Sequence, residues 1–505
     1  MLFDIPKIVT SSQSLPLDLV AESTASGTLR MLAGMPRRHR DGRLRGESPR
    51  DSRLRGEKEG RLRGDILGNQ GRSCYKQKCM GRIIKIVALL LIALPGFAQR
   101  TIIHCGSLID GKSKTVVAQT TLVVEENKII SVMKGFTPVQ KDEKLIDLSK
   151  KTVMPGWIDL HVHLESETSK DAATRRYTMN EADIAFMSTV YAKRTLMAGF
   201  TTVRDLGGSG VNISLRNAVN QGIVIGPRIF TSGRSIATTG GHADPTNAAK
   251  KGLLPEPSPS DGVINSEEEA REAVRQRYKD GADLIKITAT GGVLSIARDA
   301  SGPQFTDQEL KGIVETAKDY GMHVAVHAIG AEGAKRAVRA GVTTIEHGSL
   351  MTEELADLMK QHGTYHIATI TAGESISDLA KIPGYYHPLV TPKALNIGPQ
   401  DKAAFALAYK RGVKMAFGTD AGVFPHGENA REFGYMMDAG MPAMETIQTA
   451  TMTNATVLGM ADKIGSLEAG KLADIVAVDE DPLKNIKTML KVTFVMKDGV
   501  VYKNE

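Results

Sequence analysis

The chain has 505 residues, of which 41% are hydrophobic and 24% charged, so it is long enough for one large globular domain and a smaller one. Its formal net charge is +7, but residues 99–505 hold 46 basic and 48 acidic side chains, so the basic excess lies ahead of residue 99. This balance excludes an electrostatic case for nucleic acid or another polyanion as a partner of residues 99–505.

Residues 1–79 are rich in arginine and repeat a short motif: GRLRGE at 42–47, SRLRGE at 52–57 and GRLRGD at 60–65. Such a segment has too few apolar residues to offset the entropy lost on ordering. We therefore predict that it is a disordered or artefactual extension ahead of a true start at Met80. The alternative is a genuine basic tail.

Residues 80–98, MGRIIKIVALLLIALPGFA, have the pattern of a secretory signal peptide. Arg82 and Lys85 precede an apolar run that is shorter than the roughly 20 residues needed to span a bilayer. The small residues Gly96 and Ala98 occupy positions −3 and −1 of a cleavage site, and no cysteine follows to carry a lipid. The sequence thus predicts a secreted or periplasmic protein without a stable membrane anchor.

Both ends of the remaining chain alternate short apolar runs with turns, as at 126–127 and 498–499. This texture predicts one small β-sandwich domain built from residues 99–152 and 462–505.

Residues 153–461 alternate apolar runs with amphipathic stretches such as 265–280 and 307–319, which open at Asn, Ser, Thr or Asp caps. Eight strands are predicted, at 157–163, 200–204, 228–232, 284–289, 322–327, 342–346, 364–370 and 414–419. This alternation predicts an α/β fold, a (β/α)8 TIM barrel. A doubly wound open sheet is the alternative, although no glycine-rich phosphate loop follows the first strand.

Residues that could bind a metal stand at the ends of several predicted strands, where TIM barrels carry their active sites. His161 and His163 end the first strand on one face, because side chains alternate along a strand. Lys286 lies within an apolar fourth strand, where an amine must pair with an anion, snorkel, or lose its charge and become able to form a carbamate.

The fifth, sixth and eighth strands end at His327, His347 and Asp420. Each residue alone also fits a structural role: a hydrogen-bonded core histidine, or a helix N-cap for the aspartate. Together the six side chains form a nitrogen and oxygen ligand set without thiolate, which suits zinc, with manganese, cobalt or iron as alternatives.

The motifs MPGWIDLHVH at 154–163 and GTDAG at 418–422, with the lysine and histidines above, resemble the amidohydrolase superfamily. The longer GTDAGVFPHGENAREF at 418–433 and GGHAD at 240–244 are similar to its imidazolonepropionase-like branch, which includes Xaa-Pro and other aminoacyl dipeptidases. The resemblance covers about 101–502.

This resemblance implies two divalent ions. His161, His163 and Asp420 would hold one ion and His327 and His347 the other, with carboxylated Lys286 as the bridge. Imidazolonepropionases lack the bridging lysine, so Lys286 favours the dipeptidase-like members.

The expected function is hydrolysis of the C–N amide bond of small peptides by hydroxide held between the ions. Asp420 would relay the proton and His242 would donate a hydrogen bond to the developing oxyanion. Candidate residues for binding the substrate carboxylate are Ser295, Arg298, Tyr385, Tyr386 and His426.

Two alternatives stay open at this point. One is a cyclic amidase or lactonase that uses the same ions on a ring substrate. The other is a non-catalytic scaffold, which would be expected to have lost ligands. The partners expected are a small molecule or dipeptide, and the sequence leaves open a homo-oligomer.

Overall fold

A computed structural model describes residues 99–505, apart from the side chains of Ala173 and Arg176. The predicted extension at 1–79 and the predicted signal peptide at 80–98 lie outside the described residues. Within 99–505, no helix combines the length and the apolar character that crossing a membrane requires.

The described chain begins with four strands, β1 (Thr101–Ile109), β2 (Val116–Glu125), β3 (Lys128–Lys134) and β4 (Lys144–Pro155). Strand β2 pairs antiparallel with β1 and β3, and β4 pairs parallel with β1. Glu126, in the predicted turn between β2 and β3, has a φ of +52°.

Ten strands follow in the middle of the chain: β5 (Trp157–Val162), β6 (Phe200–Asp205), β7 (Arg228–Thr231), β8 (Ala237–Thr238), β9 (Val263–Ile264), β10 (Ile285–Thr288), β11 (Val324–Ala328), β12 (Thr344–His347), β13 (Tyr365–Ile367) and β14 (Lys414–Met415). Strands β5, β6 and β7 form a three-stranded parallel sheet, and β10 to β14 form a five-stranded parallel sheet. Each of the eight predicted strands coincides with one of these eight, so the α/β class is confirmed.

The helices are α1 (Ala172–Thr178), α2 (Glu181–Met197), α3 (Val211–Asn220), α4 (Glu267–Asp280), α5 (Asp307–Asp319), α6 (Ala331–Ala340), α7 (Glu353–His362), α8 (Ile370–Ala380), α9 (Thr391–Ala394), α10 (Ile397–Arg411), α11 (Arg431–Asp438), α12 (Ala443–Gln448) and α13 (Asn454–Val457). Short 3₁₀ turns lie at Pro259–Asp261 and Ile486–Leu490, and a π-helix at Thr449–Thr453 joins α12 to α13.

The predicted helix starts at 265 and 307 are close to those observed, because the caps act as the sequence indicates. The hydroxyl of Ser266 accepts a hydrogen bond from the Glu269 amide at 3.2 Å ahead of α4. Thr306 and Glu309 form a reciprocal capping box ahead of α5.

Three strands close the chain: β15 (Ile475–Val478), β16 (Val492–Lys497) and β17 (Val500–Asn504). They join the first four strands in one seven-stranded sheet of order β17-β16-β15-β4-β1-β2-β3, so this sheet draws on both ends of the described chain. The described strands of this region form a single sheet, and the second layer of the predicted sandwich stays a prediction.

Hydrogen bonds also connect the three-stranded and five-stranded sheets at both of their junctions. Between β7 and β10, the Ile236 amide donates to the Lys286 carbonyl at 2.8 Å and the Thr288 amide to the Ile236 carbonyl at 3.1 Å. Between β5 and the segment after β14, the Leu160 amide donates to the Phe417 carbonyl at 3.1 Å. Together with the pairing within each sheet, these bonds hold the carboxyl ends of β5, β10, β11 and β12 close together.

A buried aromatic cluster packs against the start of β5. The ring centroid of Trp157 lies 5.5 Å from that of Phe200 and 5.1 Å from that of Phe433, and the Phe417 and Phe433 centroids are 4.6 Å apart. The Asn454 amide group donates to the carbonyls of Ile158 and Phe417 at 2.7 and 2.8 Å. The first and eighth predicted strands are thereby fixed to each other.

A buried ion pair connects β7 to the seven-stranded sheet. Arg228 Nη1 lies 2.6 Å from Asp474 Oδ2, and Arg228 Nη2 lies 2.5 Å from Asp498 Oδ1. The side chain of Asp474 is only 4% exposed. An unpaired carboxylate there would be costly because it is removed from water.

We predict that Arg228→Met lowers the free energy of unfolding by about 3 kcal/mol, since it leaves the buried Asp474 carboxylate without its cation. Chemical denaturation at matched metal content would measure the shift. Arg100→Met is the control, because the Arg100–Glu125 pair is exposed and its loss should cost under about 1 kcal/mol. Equal midpoints for the two variants would contradict the prediction.

Candidate metal centre

The six predicted ligands line one cavity of about 210 Å³ at the ends of the parallel strands. They are His161, His163, Lys286, His327, His347 and Asp420. All except His163 are no more than 9% exposed. The structure therefore brings together all six side chains that the strand ends indicated.

The tightest group consists of His161, His347 and Asp420, whose potential ligand atoms lie within 4.8 Å of one another. Asp420 Oδ1 lies 3.5 Å from His161 Nε2 and 3.3 Å from His163 Nε2. This carboxylate oxygen is buried and has no hydrogen-bond partner. An orphaned acceptor facing two imidazole nitrogens is the arrangement expected of groups that share a cation.

In three of the histidines, one ring nitrogen is occupied by a fixed partner of its own. These contacts are His161 Nδ1 to Glu346 Oε2 at 3.0 Å, His163 Nδ1 to the Gly207 carbonyl at 2.8 Å, and His347 Nδ1 to Thr369 Oγ1 at 2.7 Å. Each contact leaves Nε2 available. Such partners fix the tautomer and ring orientation of metal-ligating histidines in proteins.

Glu346 is itself held by a second buried group. Arg204 Nη2 donates to Glu346 Oε1 at 2.7 Å, and both side chains are fully buried. Arg204 Nε also donates to the Leu160 carbonyl of β5 at 2.7 Å. The chain Arg204–Glu346–His161 thus connects β6, β12 and β5 across the interior.

Three residues at the strand ends adopt left-handed backbone angles, which are unfavourable for residues with a Cβ. The φ values are +68° at His347, +52° at Thr369 and +60° at Asp420. Strict alternation would direct Glu346 and His347 to opposite faces of β12. The left-handed turn at His347 breaks this alternation. His347 therefore lines the cavity, while Glu346 contacts His161 from the same strand.

Lys286 extends from β10 toward the histidines, and its Nζ lies 3.5 Å from His161 Nε2. Burial lowers the pKa of Lys286 to about 8. An appreciable fraction of this amine is therefore neutral near physiological pH, as carbamate formation requires.

Burial also lowers the pKa of His161, His327 and His347 well below the usual value, so these imidazoles are neutral and able to bind a metal. Burial alone would raise the pKa of Asp420, but its contacts with His161 and His163 bring it below its usual range. Burial would likewise lower the pKa of His163, but the nearby Asp420 carboxylate raises it.

His242 stacks on His327 with ring centroids 4.3 Å apart and borders the cavity, while its role as an oxyanion donor stays a prediction. Its Nδ1 lies 2.6 Å from Ser295 Oγ. A Cβ on Gly292 would lie 2.1 Å from His242 Cε1, so a glycine is needed for the ring to lie here. His327 differs from the other three predicted histidine ligands, because its Nε2, and not its Nδ1, has a fixed partner, the Gly291 carbonyl at 3.0 Å.

The five predicted substrate-binding residues lie away from the described cavity wall. Ser295 touches the site through His242, and Arg298 is exposed beside a separate depression. Tyr385 and Tyr386 pack edge to face against each other, while His426 stacks on Tyr191 and contacts the Ser166 carbonyl. A role for them in binding the substrate stays a prediction.

Several buried polar residues that surround the predicted ligands were not predicted from the sequence. Asp159 Oδ2 accepts from Thr419 Oγ1 at 2.6 Å and Asn429 Nδ2 at 2.8 Å, and burial raises the pKa of Asp159 to about 6. Glu432 accepts three hydrogen bonds from Ile370 and Thr371 at the start of α8. The signal was present, since the 418–433 motif contains Asn429 and Glu432, but their partners are distant in sequence.

The residues present fit divalent ions. The donors are imidazoles, a carboxylate and an amine, with no thiolate, and this set suits zinc.

Comparison with known proteins assigns the family. Residues 152–502 match the Amidohydrolase family. The chain belongs to the amidohydrolase family. A solved Xaa-Pro dipeptidase with methionine bound in its active site is 50% identical, with a TM-score of 0.79 over 80% of this chain and 100% of that chain.

Two curated relatives extend the comparison. Ochratoxinase of Aspergillus niger is 32% identical over 444 residues, which cover 82% of this chain and 89% of that enzyme. An imidazolonepropionase of Fusobacterium nucleatum is 23% identical over 400 residues, which cover 71% and 84% of the two chains. The predicted resemblance is confirmed, and this amidohydrolase is a hydrolase of carbon–nitrogen bonds. Its neighbours imply a TIM barrel with a second domain.

We predict that Glu346→Gln lowers the affinity of this amidohydrolase for zinc by about 10- to 100-fold, because His161 loses the carboxylate that orients its ring. Zinc titration against a competing chelator would measure the change. Glu354→Gln, at an exposed glutamate of α7, is the matched control and should bind zinc like the wild type. Unchanged affinity in Glu346→Gln would contradict the role given to this pair.

Proposed function

We propose that this amidohydrolase is a binuclear, metal-dependent dipeptidase of the prolidase type. The observation that carries the proposal is the buried convergence of four imidazoles, one lysine and one carboxylate on a single cavity. The 50% identity to a Xaa-Pro dipeptidase supports the substrate class.

We also propose that the two parallel sheets form one closed (β/α)8 barrel beside a small β-sandwich. The backbone hydrogen bonds at both junctions between the sheets support closure. The seven-stranded sheet supplies strands for the second domain.

In this proposal His161, His163 and Asp420 would hold one zinc ion, and His327 and His347 would hold the other. Lys286 would serve both ions as a carbamate, formed from its neutral amine and carbon dioxide with release of a proton. The ions would polarise the substrate carbonyl and make water acidic enough to attack near neutral pH.

Asp420 accepts the proton of the attacking water and later transfers it to the leaving nitrogen. Its free Oδ1 supports this assignment, because no protein donor competes for it. His242 donates a hydrogen bond to the oxygen of the reacting carbonyl. In this proposal the Ser295 hydroxyl donates to Nδ1, 2.6 Å away, and Nε2 carries the proton that His242 donates.

A ring substrate is the second candidate, favoured by the similarity to an imidazolonepropionase. A lactonase or cyclic amidase would use the same ions, so only the substrate hydrolysed distinguishes these activities from a dipeptidase. A non-catalytic scaffold fits less well, because all six ligand side chains are present.

A secreted or periplasmic location is also a proposal, and it rests on the sequence of residues 80–98 alone.

We predict that the zinc-loaded protein hydrolyses Met-Pro and other dipeptides but neither lactones nor hydantoin-type rings. Asp420→Asn should lower kcat/KM by about 10²- to 10⁴-fold, because the proton acceptor is lost. Release of free amino acids measures the rate, and Asp462→Asn, at an exposed aspartate, serves as the control. Turnover of ring substrates without any of peptides would reject the dipeptidase assignment.

We predict that the Lys286 carbamate gives a ¹³C resonance when the zinc protein is equilibrated with labelled bicarbonate. Lys286→Met should lose this signal and also part of the bound zinc. Lys414→Met, at an exposed lysine of β14, should keep both. A wild-type spectrum without a carbamate signal at full zinc occupancy would contradict the bridge.

A further inference from the structure

One buried carboxyl group on the cavity wall takes no part in the centre described above. Asp401, in α10, is 3% exposed and lines the same cavity as the six ligands. Its Oδ1 is buried without a hydrogen-bond partner. No lysine, arginine or histidine among the described residues forms an ion pair with it.

The surroundings of Asp401 do not replace the missing cation. Ser349 is close enough to lower the pKa of Asp401, yet its hydroxyl also has no partner at hydrogen-bond distance. Lys402, the next residue in the chain, instead pairs with Glu374 at 2.9 Å. Burial and the nearby charge of Glu432 raise the pKa of Asp401 well above its usual range.

The backbone is shaped to admit this carboxyl group. An ideal Cβ at Gly373 would lie 2.1 Å from Asp401 Oδ2, so α8 carries a glycine where the carboxyl group rests against it. The adjoining wall is apolar and includes Ile376 and Ile397. A buried carboxyl group in an apolar wall costs free energy unless a partner compensates it.

We infer that Asp401, with Ser349, binds the α-ammonium group of the substrate, so that the enzyme selects peptides with a free amino terminus. This inference rests on the proposed dipeptidase function. In a dipeptide the ammonium nitrogen is two bonds from the scissile carbonyl carbon, so its binding group must share a cavity with the metal ligands. Asp401 meets this requirement, because it lines the cavity that holds the six predicted ligands.

The test compares Met-Pro with 4-(methylthio)butanoyl-proline, which lacks only the amino group, as substrates of the zinc-loaded full chain. We expect the wild type to favour Met-Pro in kcat/KM by roughly 10- to 100-fold, the value of a charged hydrogen bond. In Asp401→Asn, which keeps the size of the side chain, this ratio should fall to near one, mainly through KM. Asp378→Asn, at an exposed aspartate of α8, should keep the wild-type ratio.

A binding measurement separates this inference from the proposed function. Calorimetric titration should show that the wild type binds L-methionine more tightly than 4-(methylthio)butanoate, which lacks the amino group. Asp401→Asn should bind the two compounds with similar affinity. If neither proline compound is hydrolysed but this binding pattern holds, the dipeptidase proposal fails and the ammonium site stands. If the wild type shows no preference for the amine, or Asp401→Asn retains it, the ammonium site is wrong. The ammonium site is also wrong if Asp401→Asn loses only a preference for peptides with lysine or arginine side chains. In that case Asp401 would bind a cationic side chain and not the α-ammonium group.

Discussion

The carboxylate of Glu346 serves two partners at once: it accepts a hydrogen bond from Arg204 and faces Nδ1 of His161. Both members of the Arg204–Glu346 pair are fully buried, so removing either would strand a charge in a medium that solvates it poorly. The orientation of His161 is therefore a property of three strands, β5, β6 and β12. The rest of the centre depends on this pair, because His161 lies beside Asp420, His347 and Lys286.

Local sequence was sufficient for much of the fold and for the six side chains that meet in the cavity. The alternation in β5 placed His161 and His163 on one face, and the caps at Ser266 and Thr306 fixed two helix starts. These signals act over two to four residues, the range in which period and capping operate. A polar residue at the end of an apolar strand is likewise visible without knowledge of the partners.

Pairings across the interior were not predictable in this way. Arg204 and Glu346 are 142 residues apart, and Asp159 and Asn429 are 270 apart. A buried arginine needs an anion nearby, but no local pattern in the sequence identifies Glu346 as the partner of Arg204. The predicted substrate-binding residues lie in loops and small clusters outside the cavity wall, because the chemistry of a side chain does not by itself specify its position. Asp401 was missed because it lies on an otherwise ordinary amphipathic helix.

The buried carboxyl groups of the site differ in how they are compensated. Asp159 and Glu432 accept hydrogen bonds from backbone and side-chain donors, which bind β5 to the segment after β14 and α11 to α8. Asp401 has no such donors. Hydrogen-bonded carboxyl groups such as Asp159 and Glu432 hold the frame and can do so without any ligand.

An uncompensated carboxyl group such as Asp401 destabilises the fold, as does the left-handed backbone at His347 and Asp420. Each adds a cost of about 1–3 kcal/mol that the surrounding packing must offset. That packing is supplied away from the cavity, where Trp157, Phe200 and Phe433 bury their rings and Asn454 joins the strands beneath the ligands. The well-packed side of the sheet thus permits uncompensated polar groups at the cavity, and these are the groups that the proposed ions and substrate would contact.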